Sequence, residues 1–524
     1  MGPFIRSLLL LATLAPSGLP LGALAADLRV GIRADPTMDP HVNYLAPNIA
    51  IARHLFEPLV VLDDDERPVP ALAESWRLIN EKEWEFKLRP NVRFSDGTPL
   101  VADDVLFSFA RVRDLPNNPQ SYVSGLRSIV DATAPDDRTV RVTTDVPNPL
   151  LPLQLRIVSI VSRKLTGTAA PSDFASGKAT IGTGPYIFAE FRPGDRLVLK
   201  RNDDYWGPKP AWETLTFRVL TNDTTRVAAL LANDVDAIDV VPPKDAARLG
   251  ATPGCQVFSR ESDRIIYLGL NVLPDRMAWF TDKDGKELAA NPFRDKRVRL
   301  ALSKAIDRRA LVEKGIDDLG VPAGQMVPSN FGGFDAATKA DPPDPAGARA
   351  LLAAAGYPQG FGITIHCSNG RYINDSGICQ MLGAMLSRVG ISTKVEVLPP
   401  NIYFSRIPAA NPQFALMMLG WGLGTGSALS TLTDALHSYD AAKGLGSNTR
   451  GTNSDELDRI IERASTTFDE STRLKLIRDA MAVVRRDTIA IPLYSEMTVL
   501  AARRGVTAIP RADQPTIVNS WTLQ

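Results

Sequence analysis

The stretch "FALMMLGWGLGTGSALSTLTDAL", residues 414–436, decides how this chain is read. Six apolar side chains, Phe414 to Leu419, run into Gly420 and Trp421, and Gly422, Gly424 and Gly426 follow with scarcely a polar group among them. A buried strand that ends in an uncharged, glycine-rich loop lets backbone approach a neighbour or a ligand closely. Just upstream, "GITIHC" (362–367) predicts a strand and "SNGRYIND" (368–375) a polar loop. A helix follows with Ile378, Met381, Leu382, Met385, Leu386 and Val389 on one face, and then the strand "ISTKVEVL" (391–398). Strand, helix, strand without a hairpin is a parallel crossover unit. Ligands of open α/β sheets sit outside the carboxyl ends of the strands. The loops after 363–367 and 414–419 both leave such ends. On one sheet edge they would face one cleft, the first supplying Arg371 and Tyr372 and the second Gly420, Trp421, Gly422 and bare backbone up to Thr425.

The rest of the chain has the same mixed α/β grammar. "DLRVGIRAD" alternates Leu28, Val30 and Ile32 as a strand does, and "DPAGARALLAAAGYP" is a helix capped by Asp344, opened by Pro345 and stopped by Gly356. "RFSDGTPLVADDVLFSFARV" predicts an Asp-Gly turn and a helix with Val105, Phe109 and Val112 inward. "GTGPYIFAEFRPGDRLVLKRN" predicts a hairpin around Pro193-Gly194. No long or low-complexity linker separates these segments, so domains are expected to interleave.

The N-terminus carries a secretion pattern. Arg6 precedes an apolar run from Leu8, and Ala23-Leu24-Ala25 forms a small-x-small cleavage site. The run is short and broken by Pro16 and Pro20, which argues for a cleaved leader over residues 1–25 rather than a membrane anchor. The mature chain would begin at Ala26. Among 524 residues, 59 Lys and Arg balance 59 Asp and Glu, so nothing attracts nucleic acid or anionic lipid. Three cysteines are too few for a disulfide scaffold; Cys367 and Cys379 either pair in an oxidising compartment or remain buried thiols.

Catalytic and metal motifs are not found. No pair among His41, His54, His366 and His437 has zinc spacing, and no G-x-S-x-G elbow or S-x-x-K pair occurs. "DKDGKE" (282–287) has Phe280 where a calcium loop needs its first ligand and is read as a surface loop. No cofactor or metal is expected. Two classes stay open from these features: an exported binding protein that closes on a solute, and an exported hydrolase working with scattered carboxylates.

Seven stretches, in order, resemble one family. They are "MDPHVNYLAPNIAIARHLFEPLV", "PALAESW", "FSDGTPLVADDVLFSFAR", "IGTGPYIF", "NDDYWG", "PFRDKRVRLALSKAIDR" and "FALMMLGWG", spread over residues 38–422. The chain is thereby similar to the bacterial extracellular solute-binding proteins of the dipeptide, oligopeptide and nickel type, which serve ABC importers. The resemblance implies a two-lobed periplasmic flytrap with an extra third domain. Lobe I would comprise 26–60, 170–265 and 495–524, the extra domain 61–169, and lobe II 266–494, with two chain crossings as the hinge. It implies a periplasmic monomer that binds a peptide or peptide-like solute and delivers it to permease subunits in the inner membrane, with no enzymatic role. Nickel-chelate or opine-type solutes are the alternatives within the family.

The resemblance also implies site residues. The segment Asn43, Tyr44, Leu45 and Ala46 would contact peptide backbone, Arg371 would pair a ligand carboxylate, and Gly420-Trp421 would border the ligand. In peptide-binding relatives an Asp soon after that Trp accepts the ligand ammonium. Here Gly424, Thr425, Gly426 and Ser427 stand in that region, and the first carboxylate is Asp434. A ligand with a blocked or absent α-amine is therefore expected to bind better than its free-amine counterpart.

Overall fold

The computed structural model describes residues 27–63, 67–116, 118, 122–423 and 426–523. The expected leader at 1–25 and the expected site residue Thr425 lie outside them.

The architecture is two α/β lobes with an extra antiparallel domain. One sheet of 12 strands runs through both lobes among the described residues. Its lobe II half has Gly362–Ser368 parallel to both Ser392–Leu398 and Leu416–Gly422. This is the crossover unit expected from the sequence, and Gly362–Ser368 is buried at every position because helices and loops cover both faces. Its lobe I half centres on Asp27–Ile32, parallel to Thr214–Val219 and Ala237–Ile238, with the hairpin Tyr186–Arg192 and Arg196–Arg201 at the edge. The hairpin turns at Gly194, whose φ is +74°.

Two long antiparallel strands, Cys255–Leu270 and Ala490–Arg503, join the halves. Their pairing is regular from Cys255 to Glu261, slips, and resumes at Ile265 opposite Ser495. An irregularity of this kind bends and twists a strand pair locally. It places the polar run Glu261-Ser262-Asp263-Arg264 at the passage between the halves.

The extra domain is a four-stranded sheet, Ala73–Asn80, Glu83–Leu88, Thr139–Thr144 and Ile129–Asp136 in spatial order, covered by the helix Ala102–Asp114. Val105, Phe109 and Val112 face its core as the helical spacing predicts. In lobe II the helices Pro345–Ala354 and Asp375–Ser387 cover one sheet face and Asp455–Thr466 and Glu470–Arg486 the other. Asp344 caps the first of these by accepting from Gly347 N at 2.8 Å. Cys367 and Cys379 form a disulfide with Cα atoms 6.6 Å apart, tying the Gly362–Ser368 strand to the helix after its loop; Cys255 is a buried free thiol. No helix among the described residues is long and apolar enough to cross a membrane.

Candidate functional site

The polar loop 369–374 is organised by Asp375, which is only 3% exposed. Its carboxylate accepts from Ser368 Oγ at 3.0 Å, Gly370 N at 3.0 Å, Arg371 N at 2.9 Å and Tyr372 N at 3.2 Å. Hydrogen bonds to an ionised acceptor are the strong ones. Asn374 closes the loop in the left-handed region, φ 47°, and donates from Nδ2 to Gly315 O at 2.7 Å. With the disulfide beneath, the loop is a fixed platform for Arg371.

Arg371 lies over the Tyr372 ring, 5.3 Å from its centroid. Its guanidinium forms no ion pair or side-chain hydrogen bond among the described residues. Arg371 is exposed to solvent. Its pKa is lowered from the ordinary arginine value, first by desolvation and then by the like charge of Arg264. A cation held in this way favours an arriving anion.

The strand Leu416–Gly422 supplies the wall. Gly420 and Gly422 share one face, since side-chain direction alternates along a strand. A methyl at Gly420 would sit 2.6 Å from Tyr372 Cε1 and 3.0 Å from Arg264 Cδ. A methyl at Gly422 would sit 3.1 and 3.2 Å from the two carboxylate oxygens of Asp263. Only glycine allows these approaches without displacement. Tyr372 OH donates to Gly420 O at 3.4 Å, joining the two loops as their shared sheet edge predicts. Trp421 points to the reverse face: it pairs with Ile265, packs with Leu419 and Leu423 in the lobe II core and leaves its Nε1 without a hydrogen-bond partner among the described residues.

The strand crossing supplies charges that the sequence reading does not single out. Arg264 approaches Glu496 at 3.6 Å, and Glu496 also accepts from Ile373 N at 3.4 Å, linking the crossing to the Arg371 loop. Glu261 accepts from Ser495 Oγ at 2.5 Å and from Ser329 Oγ. Asp263 is 5% exposed and accepts from Gln514 Nε2 at 2.7 Å. Burial pushes its carboxyl up to about 6 against the opposing pull of Arg264. The signal that identifies this region is the polar run Glu261–Arg264 set directly before the apolar "IIYLGL".

The N-terminal segment is anchored on the extra domain. Asp39 is paired with Arg111 at 2.5 Å and His41 Nε2 bonds Ser159 O at 2.8 Å, which anchors "MDPHVNYL". Asn43 adopts φ 57°, and its carbonyl accepts from Asn48 Nδ2 at 2.9 Å. Leu45 is 41% exposed just before the helix Ala46–Leu55. Tyr44 packs on Tyr122, ring centroids 4.9 Å apart, and its raised pKa comes first from burial, with the charges of Arg156 and Asp263 also acting on it. Asp434 is turned elsewhere: buried near Arg127 of the extra domain, its carboxyl rises to about 6.

Concavities of about 260 Å³ beside Leu270, Arg294 and Arg299 and of about 640 Å³ beside Arg89 and Trp206 are lined by none of these residues. Among the described residues no cluster of His, Cys, Asp or Glu has the makings of a metal site.

Comparison with known proteins follows this geometry. The model of bacterial extracellular solute-binding proteins, family 5 Middle, matches residues 67–443. The glutathione-binding protein GsiB of Escherichia coli (strain K12) is 26% identical over 481 residues, 90% of this chain and 89% of the relative. Heme-binding protein A of Haemophilus influenzae is 27% identical over 459 residues, 81% of this chain and 78% of the relative. Among solved structures, HbpA2 from Haemophilus parasuis superposes with a TM-score of 0.82 at 24% identity, covering 95% of this chain and 100% of that one. The unliganded open form of the murein tripeptide binding protein MppA gives 0.77 at 23% identity, covering 95% and 98%. The chain belongs to the bacterial extracellular solute-binding proteins of family 5.

Proposed function

We propose that this chain is the periplasmic substrate-binding component of an ABC importer. It captures a peptide or peptide-like solute between its lobes and passes it to permease subunits in the inner membrane, acting as a monomer without chemical turnover. The observation that carries this reading is Arg371, an unpaired cation. Its backbone N–H is held by Asp375, and its guanidinium lies over Tyr372, whose ring meets Gly420 at the carboxyl ends of two neighbouring parallel strands. Such an arrangement receives a carboxylate and adjacent backbone. The relatives named above bind glutathione, heme and a murein tripeptide, and solutes with free carboxylates suit Arg371.

In this reading the lobes divide near the strand irregularity, with lobe I as 26–60, 170–265 and 495–524, the extra domain as 61–169 and lobe II as 266–494. Asn43, Tyr44, Leu45 and Ala46 then meet the solute from the lobe I side, Arg371, Tyr372, Gly420 and Gly422 from the lobe II side. Closure brings the two sets together. Trp421 supports the wall from behind, and residues 1–25 direct export. The test is small-angle scattering and calorimetry with peptides. Compaction on binding, with recovery of the intact peptide, supports the reading, whereas hydrolysis of the bound peptide favours the hydrolase alternative.

A further inference from the structure

Lobe II, taken as 266–494, is joined to the rest of the chain only at its two ends, in the long strands that cross between the halves. It also touches the extra domain. Phe468 sits in the polar run "STTFDES" (465–471), which joins the helices Asp455–Thr466 and Glu470–Arg486, and packs against the core of the extra domain. Its ring centroid is 6.3 Å from that of Trp84, whose Nε1 donates to Asn148 O at 3.1 Å. Arg127 of the extra domain donates from Nη1 to Gly444 O at 3.0 Å. A methyl at Gly426 would lie 3.0 Å from Leu62 Cδ1 and 3.5 Å from Leu153 Cδ1.

The lobe II loops that make these contacts are held ready for them. Arg473 Nη1 donates to Thr467 O at 2.9 Å and to Phe468 O at 3.0 Å, and Asp469 caps the following helix by accepting from Thr472 N at 2.8 Å. The backbones of Asp440 and Leu445 bond each other at 3.0 Å in both directions, and Gly444 inside that turn has φ 67°. Separating lobe II from the extra domain returns the Phe468 ring to water, which opposes the separation.

These contacts stand on the cleft side of the strand crossing. Gly426 follows the wall strand Leu416–Gly422, and Arg127 directly follows the short helix Tyr122–Leu126, on whose first residue Tyr44 packs. Turning lobe II away about the irregularity at Glu261–Ile265, to admit a solute, therefore parts Phe468 from Trp84 and Gly444 from Arg127.

We infer that the extra domain is a clasp for lobe II: Trp84 and Arg127 hold Phe468 and Gly444 while the cleft is shut and release them when it opens. Closure is then favoured by contacts that touch no solute, and affinity for every solute rises by one common factor. This rests on the two-lobed binding reading above and gives the extra domain a part in it.

The experiment compares the mature protein with its Arg127→Ala, Phe468→Ala and double variants. Arg127 is exposed and Phe468 half-buried, and both lie outside the proposed site. Members retained from an equimolar pool of dipeptides and tripeptides are identified by mass spectrometry after gel filtration, and the Kd of each is measured by calorimetry. A hydrogen bond and an aromatic pair together are worth about tenfold in an equilibrium constant. The double variant should therefore bind every retained peptide about tenfold more weakly, by the same factor whatever the charge of the peptide. An unchanged or lowered Kd overturns the clasp, and so does a loss that differs from peptide to peptide, since that marks contact with the solute. Small-angle scattering of the solute-free proteins should show a larger radius of gyration in the double variant than in wild type, and equal radii overturn the clasp whether or not a peptide binds. Retention of no peptide by wild type overturns the peptide-binding reading and leaves the scattering comparison to judge the clasp. Should Phe468→Ala fail to fold, Arg127→Ala decides alone, with a uniform loss of roughly fivefold expected.

Discussion

Replacing Arg371 by Ala removes a side chain whose contribution is confined to the complex. In the free protein the guanidinium has no ion pair among the described residues and lies over the Tyr372 ring, 5.3 Å from its centroid. Such a stack at a solvent-accessible position is worth about 0.5–1 kcal/mol, so the fold should lose no more than that. In the complex, truncating one partner of a close charge pair costs about 2–5 kcal/mol. Arg264 stands at the same glycine, with its Cδ 3.0 Å from a Gly420 methyl position, and takes up part of the lost charge. The lower half of the range therefore applies, about 2–3 kcal/mol, a roughly thirty- to two-hundred-fold rise in Kd. Titration calorimetry with a carboxylate-bearing peptide, beside thermal unfolding of both proteins, measures the two quantities. Arg371→Lys should recover little, since an ammonium lacks the planar fork that meets a carboxylate. An unchanged Kd for Arg371→Ala, or a loss of affinity accompanied by a large fall in stability, would refute the reasoning.

Three further outcomes are expected. Gly420→Ala should destabilise lobe II by about 1–3 kcal/mol and weaken binding, because its methyl meets Tyr372 at 2.6 Å; urea unfolding that matches wild type would count against the wall. The stability difference between wild type and Asp263→Asn should shift in favour of wild type by about 2–3 kcal/mol as pH falls from above 6 to about 4. The reason is that burial raises the Asp263 carboxyl to about 6, against the pull of Arg264, so protonation there favours the folded state. Urea unfolding of both proteins across this range checks this, and parallel profiles would contradict it. Reducing the Cys367–Cys379 bridge, which closes a loop of sequence separation 12, should cost about 3 kcal/mol; identical urea midpoints with and without a thiol reductant would show that the bridge contributes nothing.

The parts of the fold that the sequence shows are those in which local pattern and tertiary environment agree. Asp344, Pro345 and Gly356 bracket one helix, and Val105, Phe109 and Val112 mark the inner face of another. The parallel unit from 362 to 398 is visible because the strand Gly362–Ser368 is buried along its length, and a helix with one apolar face separates it from the partly exposed strand Ser392–Leu398. The contact of Tyr372 with Gly420 is the one that neighbouring strand ends lead the sequence reader to expect. What escaped depends on interruptions of periodicity. Asp263 reaches the site because a strand pairing slips, and no alternation pattern records which way a residue points inside such a slip. Asp375 looks like an ordinary first-turn acid, yet its carboxylate gathers the loop N–H groups before it. Trp421 stands out as the aromatic of the loop, but strand alternation turns it away from the glycines on either side.

The central claim is that Arg371 anchors an intact solute between the lobes. The most direct measurement is native mass spectrometry of the mature protein, wild type and Arg371→Ala, each exported to a periplasm and purified gently. The account expects one small carboxylate-bearing, peptide-like solute per wild-type chain, released unaltered on denaturation, and a largely empty Arg371→Ala protein of the same fold. Equal loading of the two proteins, or a solute that emerges cleaved, would contradict it.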